Sequence, residues 1–209
     1  DLKGKRIGVT RIGAVSHSVL LMMLQRCKMS VNDVQVMQLG SSPSMLASMD
    51  KGGIEGAVVT IPSMFVAEDR GYRVLLDMAD TDIYYLHTMV ATTRQYIKNN
   101  RDKVLRFLRG YVEGIAFVKH NKQESLDIVK KKLRIGPEQE RNLDRSLDLL
   151  ITKYYENTPY PSLRGVETVL GFIEKDNPKA KTADPKAFVD DSLLREVEQS
   201  GFVKKLYER

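Results

Sequence analysis

RIGVT at residues 6–10 opens a series of three short apolar runs, which continues with VQVMQL at 34–39 and GAVVT at 56–60. A stretch with an amphipathic helical pattern follows each run. This alternation is typical of parallel strands that are joined by crossover helices. We therefore expect Arg6–Thr10, Val34–Leu39 and Gly56–Thr60 to be strands of one parallel sheet.

Two further runs extend the strand prediction towards the middle of the chain. Tyr72–Leu76 is rich in apolar residues, and Leu86–Thr93 (LHTMVATT) follows a polar loop. Both have residues that favour strands. Because the strand signal ends at Thr93, we predict an α/β lobe with a parallel sheet over residues 1–93 and a helical segment over residues 94–209.

The helical segment has apolar residues that recur every three or four positions. The clearest stripe consists of Val104, Phe107, Leu108, Tyr111, Ile115 and Val118. An amphipathic helix buries such a stripe against another surface. These helices therefore need another surface, such as a sheet, against which to bury their apolar stripes. The sequence after residue 93 predicts no strand that could form such a sheet.

The composition is that of a folded, water-soluble protein, with 42% hydrophobic and 29% charged residues. The formal net charge of +6 suits an anionic partner. However, basic and aromatic residues are not interleaved as they are on a nucleic-acid platform, so we predict no nucleic-acid partner. No apolar run approaches the ~18 residues of a membrane span, and no signal peptide is recognisable. Because the chain starts at Asp1, we expect a processed protein or an excised fragment.

The single cysteine excludes an internal disulfide bond. Cys27 follows Leu20 and Leu24 at helical spacing. We therefore expect its thiol to be buried in the core, as unpaired cysteines usually are.

The loop after the first predicted strand carries most of the candidate ligand-binding residues. In a parallel α/β sheet, ligands bind beyond the carboxyl ends of the strands, where helix N-termini present free amide groups. This loop brings Thr10, Arg11, Gly13, Ser16 and His17 to such a helix start. Hydroxyl, guanidinium and imidazole groups near the positive end of a helix dipole suit a polar or anionic solute.

Structural roles would account for the same residues. Ser16 could cap its helix, Arg11 could pair with a nearby acid, and His17 could be a partly exposed helix-start residue. The sequence leaves these alternatives open.

Three more candidates come from later loops. Ser41 and Thr60 follow the second and third predicted strands, where small polar residues suit the wall of a cleft or an ordinary turn. Tyr85 lies near the change from the α/β pattern to the helical pattern, and its ring could line a pocket or pack at a hinge.

Motifs that would indicate catalysis are missing from the sequence. The three histidines, His17, His87 and His120, lie in unrelated contexts, and none has a cysteine or carboxylate at metal-ligand spacing. The nucleophile-elbow, P-loop, dinucleotide-binding and zinc-protease motifs are all absent. We predict neither a catalytic residue nor a metal nor a cofactor.

The order and spacing of several segments resemble a known family. These are Asp1–Val9 (DLKGKRIGV), Gly53–Val59 (GIEGAVV), Gly71–Leu75 (GYRVL) and Arg106–Gly114 (RFLRGYVEG). Together they are similar to the nitrate/sulfonate/taurine-type ABC transporter substrate-binding proteins, also called thiamine-pyrimidine-precursor-like. The resemblance spans all 209 residues.

The resemblance implies a type II periplasmic-binding-protein-like fold, with one complete α/β lobe followed by helices of a truncated second lobe. Members of the family bind a small solute in a cleft between lobes and deliver it to a membrane permease, without catalysis. A periplasmic or membrane-anchored extracytoplasmic location follows. Two alternatives share the fold, namely the ligand-sensing domain of a LysR-type transcription regulator and an enzyme of pyrimidine biosynthesis.

Family members begin with about half of a first domain for which this chain has no counterpart. That segment would carry further cleft loops, so we expect this chain by itself to bind its ligand poorly. We also expect the apolar faces of its later helices to drive self-association.

Overall fold

A computed structural model describes residues 2–208 of the chain. They form two compact units, and each is described here by itself. The first unit contains residues 2–81 and Arg141–Ser146, and the second contains Asp82–Glu140 and residues 147–208. The units divide after Thr81 in the chain. The expected domain boundary after Thr93 stays a prediction.

The first unit is built on a three-stranded parallel sheet in the order β2-β1-β3. Ile7 lies opposite Val36 on one side and opposite Gly56 on the other. The predicted α/β class with a parallel sheet is confirmed, although the strands end earlier than the apolar runs. The elements are β1 (Arg6–Val9), α1 (Val15–Arg26), β2 (Gln35–Gln38), α2 (Ser42–Asp50), β3 (Gly56–Ala57) and α3 (Ser63–Asp69).

Strand β1 is buried on both faces. Ile7 and Val9 pack with Leu20, Leu24 and Val34 in one core cluster. Successive residues of a strand face opposite sides, so Gly8 faces the other way. There a Cβ atom on Gly8 would lie 2.7 Å from Cδ1 of Ile54 and 3.2 Å from Cγ of Met45. Glycine at this position therefore allows α2 and the segment before β3 to approach the central strand closely.

An ion pair connects the start of β1 to the segment before β3. The carboxylate of Glu55 accepts hydrogen bonds from the backbone N–H of Arg6 at 2.8 Å and from its guanidinium Nε at 3.2 Å. The guanidinium also donates to the carbonyl of Gly52 at 2.9 Å. The side-chain and backbone hydrogen bonds from Arg6 lower the pKa of Glu55 to about 2.

The two later strand predictions, Tyr72–Leu76 and Leu86–Thr93, are wrong, because the described residues form no strand there. Val74 and Leu75 are 47% and 65% exposed, and Met89 is also exposed. A strand forms only where a neighbouring strand supplies backbone hydrogen bonds. Within residues 2–208 the sheet ends at β2 and β3, so neither segment has such a neighbour.

The second unit contains helices and no strand within the described residues. A π-helical turn at Leu150–Tyr154 extends α7, and α7 contributes Arg141–Ser146 to the first unit. No helix within residues 2–208 combines the length and hydrophobicity that a membrane span requires. The helices are α4 (Arg94–Asn99), α5 (Arg101–His120), α6 (Lys122–Leu133), α7 (Pro137–Leu149), α8 (Leu163–Ile173), α9 (Ser192–Gln199) and α10 (Phe202–Tyr207).

The core of the second unit lies between α5, α9 and α10. Its buried members are Leu105, Val112, Leu193, Leu194, Val197 and Val203. A polar contact adds to this packing, because Glu198 of α9 accepts hydrogen bonds from the hydroxyls of Thr158 and Tyr160, both at 2.6 Å. These bonds attach the loop before α8 to α9.

Part of the predicted apolar stripe on α5 is exposed. Phe107 and Tyr111 are 52% and 40% exposed, and their rings stack with centroids 6.2 Å apart. Gly110 and Gly114 share this side of the helix, and a Cβ atom at either would meet nothing within 4 Å. The stripe is therefore wider than the surface that covers it.

Cys27 is exposed, so the expectation of a buried thiol is wrong. The physical reason is its position just beyond the last residue of α1, Arg26. There the chain leaves the helix through Lys28 at φ +56°, and the helical spacing no longer directs the side chain to the core.

We predict that Gly8→Ala destabilises the first unit by about 1–3 kcal/mol, because the added methyl group overpacks the contact with Ile54 and Met45. Gly110→Ala is the matched control. It adds the same methyl group at an open helical position and should stabilise the helix by about 0.4–1 kcal/mol. Urea unfolding followed by circular dichroism measures both changes. Equal effects of the two substitutions would contradict the packing argument.

A second prediction concerns acid stability. Because the pKa of Glu55 is lowered from 4.5 to about 2, its pairing with Arg6 stabilises the folded chain fully above pH 4.5. This contribution is lost as the pH falls from 4.5 towards 2. In Glu55→Gln, stability should be lower at neutral pH and should change less over that window, since glutamine does not titrate. Urea midpoints measured from pH 7 to pH 2 test this, with Glu167→Gln on α8 as the control.

Candidate ligand-binding site

An open depression lies beyond the carboxyl ends of β1 and β2, in the first unit. Its volume is about 410 Å³, and its lining residues are Thr10, Arg11, Ala14, Gln38 and Gly40. This is the edge of the sheet at which parallel α/β proteins bind ligands. Of the predicted residues, Thr10 and Arg11 line this depression together with Gly40 of the second loop, whereas Gly13, Ser16 and His17 are not among its lining residues.

Ser16 does not cap α1. The helix begins after Ala14, whose side chain forms no capping hydrogen bond. Instead, the hydroxyl of Ser16 accepts a hydrogen bond from the backbone N–H of Thr10 at 2.9 Å and lies 2.7 Å from the Thr10 hydroxyl. These bonds close the loop over the first turn of α1. The amide groups of that turn have no side-chain acceptor at Ala14, and they form the positive end of the helix dipole.

Gly13 and His17 fix the middle of the same loop. Gly13 has φ +82°, a conformation that favours glycine. Its N–H donates to Nδ1 of His17 at 3.2 Å. Because Nδ1 is the acceptor, the proton of the neutral ring is on Nε2. His17 is half-buried and supports the loop from the helix side.

Arg11 is the cation of the depression. Its side chain is exposed, and among residues 2–208 it has no ion pair or hydrogen bond with another side chain. The alternative of a surface arginine paired with an acid therefore has no partner in the described part of the chain. The guanidinium is available to an anion, and it can donate two parallel hydrogen bonds to a carboxylate or sulfonate.

Gln38 lines the depression and was missed from the sequence. Its Oε1 accepts a hydrogen bond from the backbone N–H of Ile12 at 3.1 Å. An amide N–H can only donate, so the oxygen of Gln38 must face Ile12 and the NH₂ group must face away. Gln38 therefore holds the loop through its oxygen and leaves its NH₂ group as a hydrogen-bond donor.

The second loop follows β2 through Gly40. Gly40 has φ +83°, and its N–H donates to the carbonyl of Thr10 at 2.9 Å, which joins the first and second loops. Ser41 caps α2, since its hydroxyl accepts from the backbone N–H of Ser44 at 3.2 Å. Capping accounts for Ser41, and the depression does not include it.

The third loop follows β3 and contains Thr60, which is exposed. The carbonyl of Thr60 accepts a hydrogen bond from the N–H of Met64 at 3.1 Å, and the Ile61–Pro62 peptide bond is cis. Ser63, the first residue of α3, is buried. The lining of the depression does not include Thr60, so its role in binding stays a prediction.

Tyr85 belongs to the second unit, where it is half-buried. Its neighbour Tyr84 is exposed, and the guanidinium of Arg164 lies 4.2 Å from the centroid of the Tyr84 ring. This cation–π contact connects the segment to the start of α8. Tyr85 remains a predicted ligand residue.

The chemistry of the depression is that of a hydrogen-bond donor site. Its lining includes a guanidinium, from Arg11, and a side-chain amide, from Gln38, together with Ala14 just before α1, and it includes no carboxylate. Within the described residues, no group of three His, Cys, Asp or Glu side chains is arranged to hold a metal ion. The arrangement has the donors to bind an anionic or strongly polar group.

Comparison with protein families gives one match. A family model described as NMT1/THI5 like matches residues 1–125 of the chain. A comparison with curated proteins finds none that matches.

Solved structures share the fold. The periplasmic aliphatic sulphonate binding protein SsuA from Escherichia coli is 19% identical with a TM-score of 0.68, and the match covers 91% of this chain and 60% of that chain. A protein from Bordetella bronchiseptica RB50 is 18% identical with a TM-score of 0.70, over 96% of this chain and 65% of that one. The alkanesulfonate-binding protein SsuA from Xanthomonas axonopodis pv. citri, bound to MOPS, is 15% identical with a TM-score of 0.62. The match covers 88% of this chain and 61% of that one.

These matches confirm the predicted type II periplasmic-binding-protein-like fold. This chain spans 60–65% of the length of the three structures.

Proposed function

Since this chain belongs to the NMT1/THI5-like family, we propose that it is a solute-binding protein of an ABC importer and that it performs no catalysis. Its ligand is a small anionic solute that occupies the depression beyond β1 and β2. This proposal is based on the hydrogen-bond donors at that depression. Among them, the Arg11 guanidinium has no side-chain partner within the described residues. Neither a LysR-type sensor nor a pyrimidine enzyme has a comparable observation in its favour.

The electrostatics support an anion over a neutral or cationic solute. A bare guanidinium attracts an anion at long range, and its hydrogen bonds to an ionised acceptor are stronger than neutral ones. The first amides of α1 and the NH₂ group of Gln38 add donors that need no change in protonation. A cation would meet the like charge of Arg11 and no carboxylate in the lining.

Sulfonates are the first anions to test. Two of the similar structures are named as sulfonate-binding proteins, and a sulfonate presents three acceptor oxygens to the donors of the site. The proposed partners are this small molecule and a membrane permease, at an extracytoplasmic location. Nucleic acid is not among them.

The depression is open, so the affinity of this chain by itself should be low. Ligand sites usually enclose most of the ligand surface, and one open wall cannot do so. We expect a Kd on the order of 1 mM or weaker for ethanesulfonate. Titration of the ¹⁵N-labelled chain should shift the amide signals of residues 10–17 and 38–41, whereas ethanol at equal concentration should not.

Two substitutions test which groups bind the anion. Arg11→Ala should weaken ethanesulfonate binding about tenfold, as the loss of a charged hydrogen bond does. Arg106→Ala on α5 changes the net charge equally and should leave the Kd unchanged. Gln38→Glu keeps the acceptor for Ile12 but replaces the donor with a carboxylate, so it should weaken binding more than Gln38→Ala. Equal binding of ethanol and ethanesulfonate, or stabilisation by DNA alone, would contradict the proposal.

Self-association is a separate proposal for this chain, based on the exposed face of α5. Phe107 and Tyr111 expose apolar area beside two open glycines, and such surfaces tend to associate. Light scattering should show an apparent mass that rises with concentration, and Phe107→Lys should reduce the rise. A constant monomer mass at high concentration would refute this proposal.

A further inference from the structure

Helix α3 is too short to be stable by itself. It has seven residues, Ser63–Asp69, and isolated helices shorter than ~12–15 residues are marginal in water. Its first turn is continuous with the third loop, because Met64 N–H donates to the carbonyl of Thr60 and Val66 N–H to that of Pro62. The position of this loop therefore depends on what holds α3.

Arg145 of α7 contacts α3 in three ways. Its guanidinium lies 4.1 Å from the centroid of the Phe65 ring. Its Nη2 donates to Glu68 at 2.8 Å, and its Nη1 donates to Asp69 at 3.1 Å. A planar guanidinium can stack on a ring and bind two carboxylates together, which a lysine ammonium cannot. The three contacts involve the third, sixth and seventh residues of the short helix.

Asn142, one turn before Arg145, completes the arrangement. It is only 6% exposed. Its Nδ2 donates to Asp69 at 2.9 Å, and its Oδ1 accepts from Arg145 at 3.1 Å. The hydrogen bond from Asn142 and the charges of Arg141 and Arg145 lower the pKa of Asp69. Both polar ends of the buried amide are therefore satisfied by this contact.

We propose that Asn142 and Arg145 are positioning residues of the ligand site, which hold α3 and thereby the Thr60–Pro62 loop in place. This inference rests on the proposed binding function and on the prediction from the sequence that the third loop forms a further wall of the site, beside the depression lined by Thr10 and Arg11. The contact joins residues 76 and 77 positions apart in the chain. The contact between α7 and α3 acts on the third loop through α3, and Asn142 and Arg145 do not touch the solute.

Hydrogen exchange of the full chain, read by mass spectrometry, tests the anchoring directly. In Arg145→Ala, amides of residues 64–70 should exchange about tenfold faster, because local opening of α3 becomes easier. Arg145→Lys should restore part of the protection, since it keeps the charge but not the stacking. Peptides covering residues 10–18 should be unchanged. Equal exchange of residues 64–70 in Arg145→Ala and the unchanged chain would overturn the proposal.

Arg195→Ala is the matched control. Arg195 has the same kind of environment in the second unit, with its guanidinium 5.1 Å from the Tyr160 ring centroid and paired with Asp191 at 2.6 Å. Its loss should leave exchange of residues 64–70 unchanged. If Arg195→Ala accelerated that segment equally, the effect would be global, and Arg145 would have no specific positioning role.

Binding of ethanesulfonate provides the functional readout. Arg145→Ala should raise the Kd at least about threefold while Arg195→Ala leaves it unchanged, with partial rescue in Arg145→Lys. Faster exchange with an unaltered Kd would overturn the positioning role. If the unchanged chain bound no anion, the proposed function would fail, and the exchange result would still decide whether Arg145 holds the loop.

Discussion

Strand β1 has a parallel neighbour on each edge, and the first unit depends on this pairing. Leu39 N–H donates to the carbonyl of Val9 on one edge, and Val58 N–H donates to the carbonyl of Gly8 on the other, at 2.9 and 3.0 Å. Parallel neighbours end at the same edge of a sheet, so the loops that follow them meet there. Gly8 permits the close packing behind β1 on which this register depends.

The position of the proposed ligand site is a consequence of that register. The N–H of Gly40 reaches the carbonyl of Thr10, and Gln38 reaches the N–H of Ile12, so the first two loops support each other. Their internal hydrogen bonds use the hydroxyl of Ser16 and the ring of His17. What remains for a solute is a guanidinium, an amide and the open end of α1. The residues that shape the site and those that would bind a solute are therefore largely different.

Sequence patterns placed the first loop at the carboxyl edge of the sheet, because a strand followed by a helix start has a known place in a parallel sheet. Its role in binding stays a prediction. The patterns did not separate the supporting residues Ser16 and His17 from Arg11, since all three are polar residues in one loop. Gln38 was missed because a polar residue within a strand indicates a solvent-facing position. Only its pairing beside β1 brings it to Ile12, and that is a property of the sheet.

The sequence by itself determined the succession of parallel strands and helices at the start of the chain and the change to helices after them, because these follow from local periodicity and residue type. The family followed from the resemblance of several segments. Tertiary structure alone decided which apolar segments are strands, since Tyr72–Leu76 has the composition of a strand but no partner within the described residues. It also decided that Arg145 holds α3. Contacts between residues so distant in the chain leave no local pattern, because they exist only once the fold has brought them together.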